Sequence, residues 1–126
     1  MAFRTPLSRV RALGSAKDGT DHFIAIRVTS VALAILLTLF LVVVVALVGA
    51  PYETVRQTLA SPLVSLVMVA GVAATIVHMR LGMQVIIEDY VHEDLTKLVL
   101  LTANSLFAWG VGLVCLFAIV KLAVGG

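Results

Sequence analysis

Three long apolar runs separated by two short polar breaks organise this chain. The first extends from about Phe23 to Gly49, reads IAIRVTSVALAILLTLFLVVVVALVG over most of its length, and carries Arg27 as its only charge. It stops at the helix-breaking Pro51, inside the polar stretch APYETVRQTLASP. The second opens near Pro62, a residue suited to the first turn of a helix, and continues to about Tyr90 with His78 and Arg80 inside it. The third covers about Leu98 to Val124, after the polar stretch HEDLTK, and is interrupted only by Asn104, Ser105 and Lys121. A helix crosses the hydrocarbon core with roughly 20 mostly apolar residues, so each run predicts one transmembrane helix. The expected fold is all-α: an up-down-up bundle with spans at about 23–49, 62–90 and 98–124, preceded by an N-terminal segment of residues 1–22.

Composition sharpens this picture by exclusion. Of the 126 residues 61% are apolar and only 13% charged, and the mean hydropathy is +1.13, far too high for a soluble domain of this size. Once the spans are assigned, no room is left for a soluble catalytic domain. The formal charge of +2 does not indicate nucleic-acid binding, because the basic residues are few and gathered near the N-terminus. Arg4, Arg9, Arg11 and Lys17 precede the first span, whereas the first loop offers Arg56 and the far tail Lys121. The positive-inside rule therefore puts the N-terminal segment and the Glu88–Lys97 connection in the cytoplasm. The Pro51 loop and the C-terminus then face the other side. The N-terminal segment bears arginines and no acid before Asp18, as mitochondrial presequences do, but a retained cytoplasmic segment of a bacterial membrane protein is the preferred reading. A lone Cys115 builds neither a disulfide framework nor a cysteine-ligated metal site and reads as a small apolar helix residue.

Two patterns of small residues could let helices approach closely: Ala70 with Ala74, and Asn104, Ala108 and Gly112 at four-residue spacing. Ionisable groups within a bilayer are costly and tend to face a bundle interior or a functional cavity, which singles out Arg27, His78, Arg80 and the Asp89–Tyr90 pair. His78 is the only histidine at depth, some 24 Å along its helix at 1.5 Å per residue. Neutral imidazole is a good haem-iron ligand. Gly71, Ala74 and Gly82 fall within about 60° of His78 on the helical wheel and leave room beside it for a flat macrocycle. The alternative is a histidine hydrogen-bonded to a carbonyl or to a polar side chain on a neighbouring helix. His22 and His92 belong at the membrane surface, so a second axial ligand would come from another chain. Asp89 follows His78 by three turns and about 20°, on the same face and roughly 16 Å away, with Tyr90 beside it. A phenol can donate to a quinone carbonyl and a carboxylate can relay protons to it. The alternative is an aromatic-belt tyrosine next to a helix-end acid. Arg27 enters from the same side; it could neutralise a haem propionate, pair with Asp89, donate to quinone, or snorkel to the headgroups. Arg80, about 200° from His78 and deeper than snorkelling readily explains, could meet a partner subunit or a propionate.

The run HMRLGMQVIIEDYVH from His78 to His92, with GSAKDGT from Gly14, resembles the smaller hydrophobic anchor subunit of succinate dehydrogenase. The resemblance covers the upstream motif, the second span in detail and the three-span layout. It implies that His78, opening the pattern H-x-x-x-G-M-x-x-x-x-x-D-Y, is an axial ligand of the iron of haem b. It also implies that Asp89 and Tyr90 lie at the ubiquinone pocket, and that Arg27, shortly before Thr29, stands near quinone and the haem propionates. Further implied are partners: a larger anchor of cytochrome b type with the other haem-ligating histidine, an iron-sulfur subunit, and a flavoprotein subunit holding FAD. The expected role is thus a membrane anchor of succinate:ubiquinone oxidoreductase, serving the respiratory chain and the citric acid cycle from a bacterial inner membrane and without catalytic activity alone. A haem-free structural anchor, or the anchor of a related fumarate reductase, is the alternative. A proton-conducting protein using His78 and Asp89 as a relay would have to work without dehydrogenase partners.

Overall fold

The computed structural model describes residues 14–125 and is helical throughout, with no strand among the described residues. Among the described residues four helices follow in chain order: α1 (Gly14–Ala46), α2 (Tyr52–Ala60), α3 (Pro62–Tyr90) and α4 (Asp94–Ala123). Three of them, α1, α3 and α4, contain windows apolar enough and long enough to cross a membrane. The chain is a multi-pass membrane protein with three spans, as the apolar runs predict.

The helix limits differ from the apolar limits in ways that backbone chemistry explains. α1 is already helical at Gly14, the first described residue, well before Phe23, so GSAKDGTDH is helical although it is polar. No proline interrupts this stretch, and extending a helix costs far less than nucleating one. At about 1.5 Å per residue α1 is on the order of 50 Å long, well beyond the roughly 30 Å of hydrocarbon, and its first turns project from the core. It ends at Ala46, and the chain reverses through Gly49, whose φ of +79° lies in the left-handed region open to glycine. The polar stretch after Pro51 is not a simple loop: it forms α2, with Val55 N–H bonding Pro51 O at 3.1 Å and Gln57 Nε2 donating to Glu53 Oε1 at 3.1 Å. Ser65 Oγ donates to Leu59 O at 2.9 Å and ties the start of α3 to the end of α2. At the other end α4 begins at Asp94, four residues ahead of the apolar run. Asp94 suits a helix N-terminus, and Thr96 Oγ1 donates to Glu93 Oε2 at 2.6 Å. Lys97 Nζ donates to Glu88 O at 3.2 Å and closes the α3–α4 corner.

α3 is the middle helix and packs along both α1 and α4. On the α4 side the spacing of small residues becomes an interface. Ala108 is completely buried, and Gly112 lies under Ile76, whose Cγ1 would be 3.0 Å from any Cβ at position 112. Asn104 Nδ2 donates to Arg80 O at 3.0 Å in the same stripe. On the α1 side the pairing is antiparallel, with His22 and Ala25 flanking a groove with Leu81, Gln84 and Glu88, then Thr29 on His78, then Leu36 and Phe40 against Val67, Met68 and Gly71. None of the apolar window of α1 is buried within the chain. Lipid tails are as apolar as leucine, so such a face has no reason to hide unless another protein covers it.

Candidate functional site

The antiparallel register of α1 and α3 brings one pair of polar side chains together at depth. Thr29 Oγ1 lies 3.0 Å from His78 Nδ1. The same hydroxyl is 2.8 Å from Ala25 O and 3.1 Å from Ile26 O, the back-bonding geometry of a helical threonine. A hydroxyl has one proton, and here it is directed to the helix carbonyls. With that proton on a helix carbonyl, its lone pairs are free to accept from His78 Nδ1–H, the tautomer that would leave a lone pair on Nε2. Among the described residues Nε2 has no partner, and it is not sealed in the protein interior. A hydrogen bond to a polar residue on a neighbouring helix is therefore present, but it engages one ring nitrogen and prepares the other. Thr29 was visible in the sequence only as a neighbour of Arg27; a hydroxyl in an apolar run, level with a histidine in the antiparallel partner, is the signal that identifies its part.

Space beside His78 is present where the helical wheel requires it. A Cβ built on Gly71 or on Gly82 would meet nothing within 4 Å. The groove that Gly71 lines with Leu36, Leu37, Phe40, Val67, Met68, Val72, Thr75 and Ile119 is almost wholly apolar and has a volume of about 140 Å³. Pockets that enclose drug-sized ligands start at roughly 300 Å³, so this groove alone does not enclose a macrocycle. Among the described residues no group of three or more His, Cys, Asp or Glu side chains could hold a bare metal ion. A metal at His78 would bring other donors with it.

The remaining candidates lie toward the Tyr90 end. Asp89 and Tyr90 are exposed on the last turn of α3, with Tyr90 79% accessible. Arg27 does not join them within this chain. Because Thr29 pairs with His78, Arg27 is level with Arg80, on the order of 14 Å from Asp89 along the helices. Its guanidinium lies 4.9 Å from the centre of the Phe23 ring, one turn nearer the Tyr90 end. That displacement puts the charge about midway between the levels of His78 and Tyr90. No ion pair between Arg27 and Asp89 occurs among the described residues. His22 is half-buried with Nε2 sealed and unpartnered, beside a groove of about 470 Å³ lined by Gly19, Asp21, Ala25, Leu81, Gln84 and Glu88. The side chains of Arg4, Arg9, Arg11 and Lys17, on which the orientation expectation rests, lie outside the described residues.

A three-span chain with a large uncovered apolar surface, one partnered histidine at depth and a polar cluster at one end has the form of a membrane subunit of a larger assembly. The chain matches the family model of the succinate dehydrogenase/fumarate reductase transmembrane subunit over residues 1–120, and it belongs to that family. It is similar to the succinate dehydrogenase hydrophobic membrane anchor subunit of Paracoccus denitrificans, 30% identical over 125 residues, covering 99% of this chain and 96% of the relative. It is also similar to the protein of the same name from Rickettsia bellii (strain RML369-C), 28% identical over 106 residues, covering 84% of this chain and 85% of the relative. No solved structure matches the chain.

Proposed function

We propose that this chain anchors a succinate dehydrogenase in a bacterial inner membrane with its N-terminus cytoplasmic, supplies His78 as one axial ligand of haem b, and contributes Asp89, Tyr90 and Arg27 to ubiquinone reduction. The observation that carries the reading is the Thr29 Oγ1···His78 Nδ1 contact of 3.0 Å. Histidines that ligate metals almost always donate their other ring N–H to a second group, which orients the ring and raises its basicity. His78 has that partner, an unspent Nε2, and glycines at Gly71 and Gly82 that leave the flank of the helix open. These residues fit a haem edge held between this chain and another. When bound, the haem supplies a one-electron carrier within the membrane.

The chain's own residues have defined tasks in this reading. Thr29 holds the imidazole in one tautomer, and Gly71 and Gly82 keep bulk away from it. Arg27, midway between the levels of His78 and Tyr90, supplies positive charge to propionates on one side and to a developing quinone anion on the other. Tyr90 donates its phenolic proton to a quinone oxygen, and Asp89 accepts and returns protons at the same rim. The larger anchor chain, the iron-sulfur subunit and the FAD-bearing flavoprotein would carry the second haem ligand and the succinate chemistry. The chain alone would oxidise nothing.

A cavity variant tests the haem assignment. The complex carrying His78→Gly is expected to retain its subunits, to contain little haem b, and to recover haem when assembled in the presence of imidazole, which can occupy the vacated position. Full haem content without imidazole would contradict the assignment and leave a haem-free structural anchor as the reading.

A further inference from the structure

Arg80 is the ionisable residue that this reading leaves unused, and its surroundings are unusual. Its Nε is sealed from solvent with no hydrogen-bond partner, and no ion pair or hydrogen bond to its guanidinium occurs among the described residues. Its backbone carbonyl is held by Asn104 Nδ2 at 3.0 Å, so α4 is tied to α3 at this level. Arg80 lies about 40° around the helix from Ile76, which packs on Gly112, and so belongs to the α4-facing side of α3. A guanidinium keeps its charge in proteins. A charge at bilayer depth without a counter-charge is costly, and such residues pair with one another or line a functional path.

Four sources of the missing anion can be compared. Headgroup phosphate is distant: Arg80 is ten residues before Tyr90, on the order of 15 Å from that end of the span. Helical side chains lean toward the helix N-terminus, which for α3 is the opposite end. Arg27 illustrates the contrast, since on α1 the same lean carries its guanidinium over Phe23 toward the nearer surface. A group bound at His78 Nε2 stands on the other face of α3, about 200° away. A second copy of this chain has nothing to offer at this depth, because its seven acids are Asp18, Asp21, Glu53, Glu88, Asp89, Glu93 and Asp94, all at or beyond the ends of the spans. The remaining source is a carboxylate on a transmembrane helix of another subunit.

We infer that Arg80 is a docking point for a partner subunit's transmembrane helix carrying an aspartate or glutamate within the bilayer, seated beside the α3–α4 seam at the level of Asn104. A guanidinium offers a planar fork of donors to a carboxylate, so this contact would set the register of the partner helix as well as its affinity. The inference rests on family membership and on the placement of Arg80, and stands whether or not His78 ligates haem.

The test uses the complex in its own membrane, extracted in mild detergent through a tag on this chain. Arg80→Gln is expected to lower recovery of the partner membrane subunit roughly tenfold or more at an unchanged level of this chain. Arg80→Lys, which keeps the charge and loses the fork, should give a recovery between those of the natural protein and Arg80→Gln. Converting each intramembrane acid of the partner to its amide should identify one that reproduces the loss and adds little to Arg80→Gln. Should single variants fail to accumulate, Arg80→Asp combined with an arginine at that partner acid should restore the complex. Unchanged partner recovery in Arg80→Gln overturns the inference, as does equal loss with Arg80→Lys. A change confined to bound phospholipid, or to haem content at full subunit recovery, also overturns it by assigning the anion to a headgroup or a propionate.

Discussion

Replacing Thr29 with valine isolates the contact on which the haem assignment rests. Valine nearly preserves the shape of threonine and removes the acceptor that lies 3.0 Å from His78 Nδ1. Loss of a second group behind a metal-ligating histidine typically lowers metal affinity by about 10–100-fold, or roughly 1.4–2.7 kcal/mol. The same substitution should hardly disturb helix packing, because interhelical hydrogen bonds in lipid average only about 0.6 kcal/mol. The expected result is a complex that assembles normally and releases haem roughly 10–100 times faster to an excess of apomyoglobin, followed by the acceptor's absorbance. Thr29→Ser keeps a hydroxyl and should stay near the natural rate. A Thr29→Val rate equal to that of the natural protein would refute the reasoning, and so would equal damage from Thr29→Ser.

Two further substitutions probe packing and the quinone rim. Gly112→Val forces its Cβ into Ile76, and overpacking of this kind costs about 1–3 kcal/mol, so α3 and α4 should separate at lower temperature or denaturant when unfolding is followed in detergent; unaltered stability would mean that this seam is not tightly packed. Tyr90→Phe removes a single donor and should slow succinate-dependent ubiquinone reduction about tenfold, equivalent to about 1.4 kcal/mol, while oxidation of succinate with an artificial soluble acceptor stays intact. Equal loss in both assays would argue for a role in assembly.

The three spans were legible because apolar length is a strong signal, whereas helix ends were not. Hydropathy reports the solvent around a residue, and Gly14–His22 and Asp94–Lys97 are helical in polar surroundings where hydropathy is silent. α2 escaped notice for a related reason: nine residues of mixed polarity between two prolines read as a loop until their local hydrogen bonds are seen. The four-residue spacing of Asn104, Ala108 and Gly112 did foretell the α4 face that packs on α3. His78 and its glycine-lined flank were legible from depth and wheel position, but Thr29 depends on the register of two helices, which no local pattern encodes. The same register separates Arg27 from Asp89 and Tyr90, which sequence reasoning had gathered at one end on topology alone.

The central claim is that His78 binds the iron of a haem shared with another subunit. Its most direct test is the reduced-minus-oxidised absorbance spectrum of the purified complex, natural protein against His78→Ala at equal content of all subunits. The account predicts loss of the b-type haem bands with flavin and iron-sulfur content unchanged. An unaltered haem spectrum in His78→Ala would contradict it and make this chain an anchor whose histidine serves only to join α3 to α1 through Thr29.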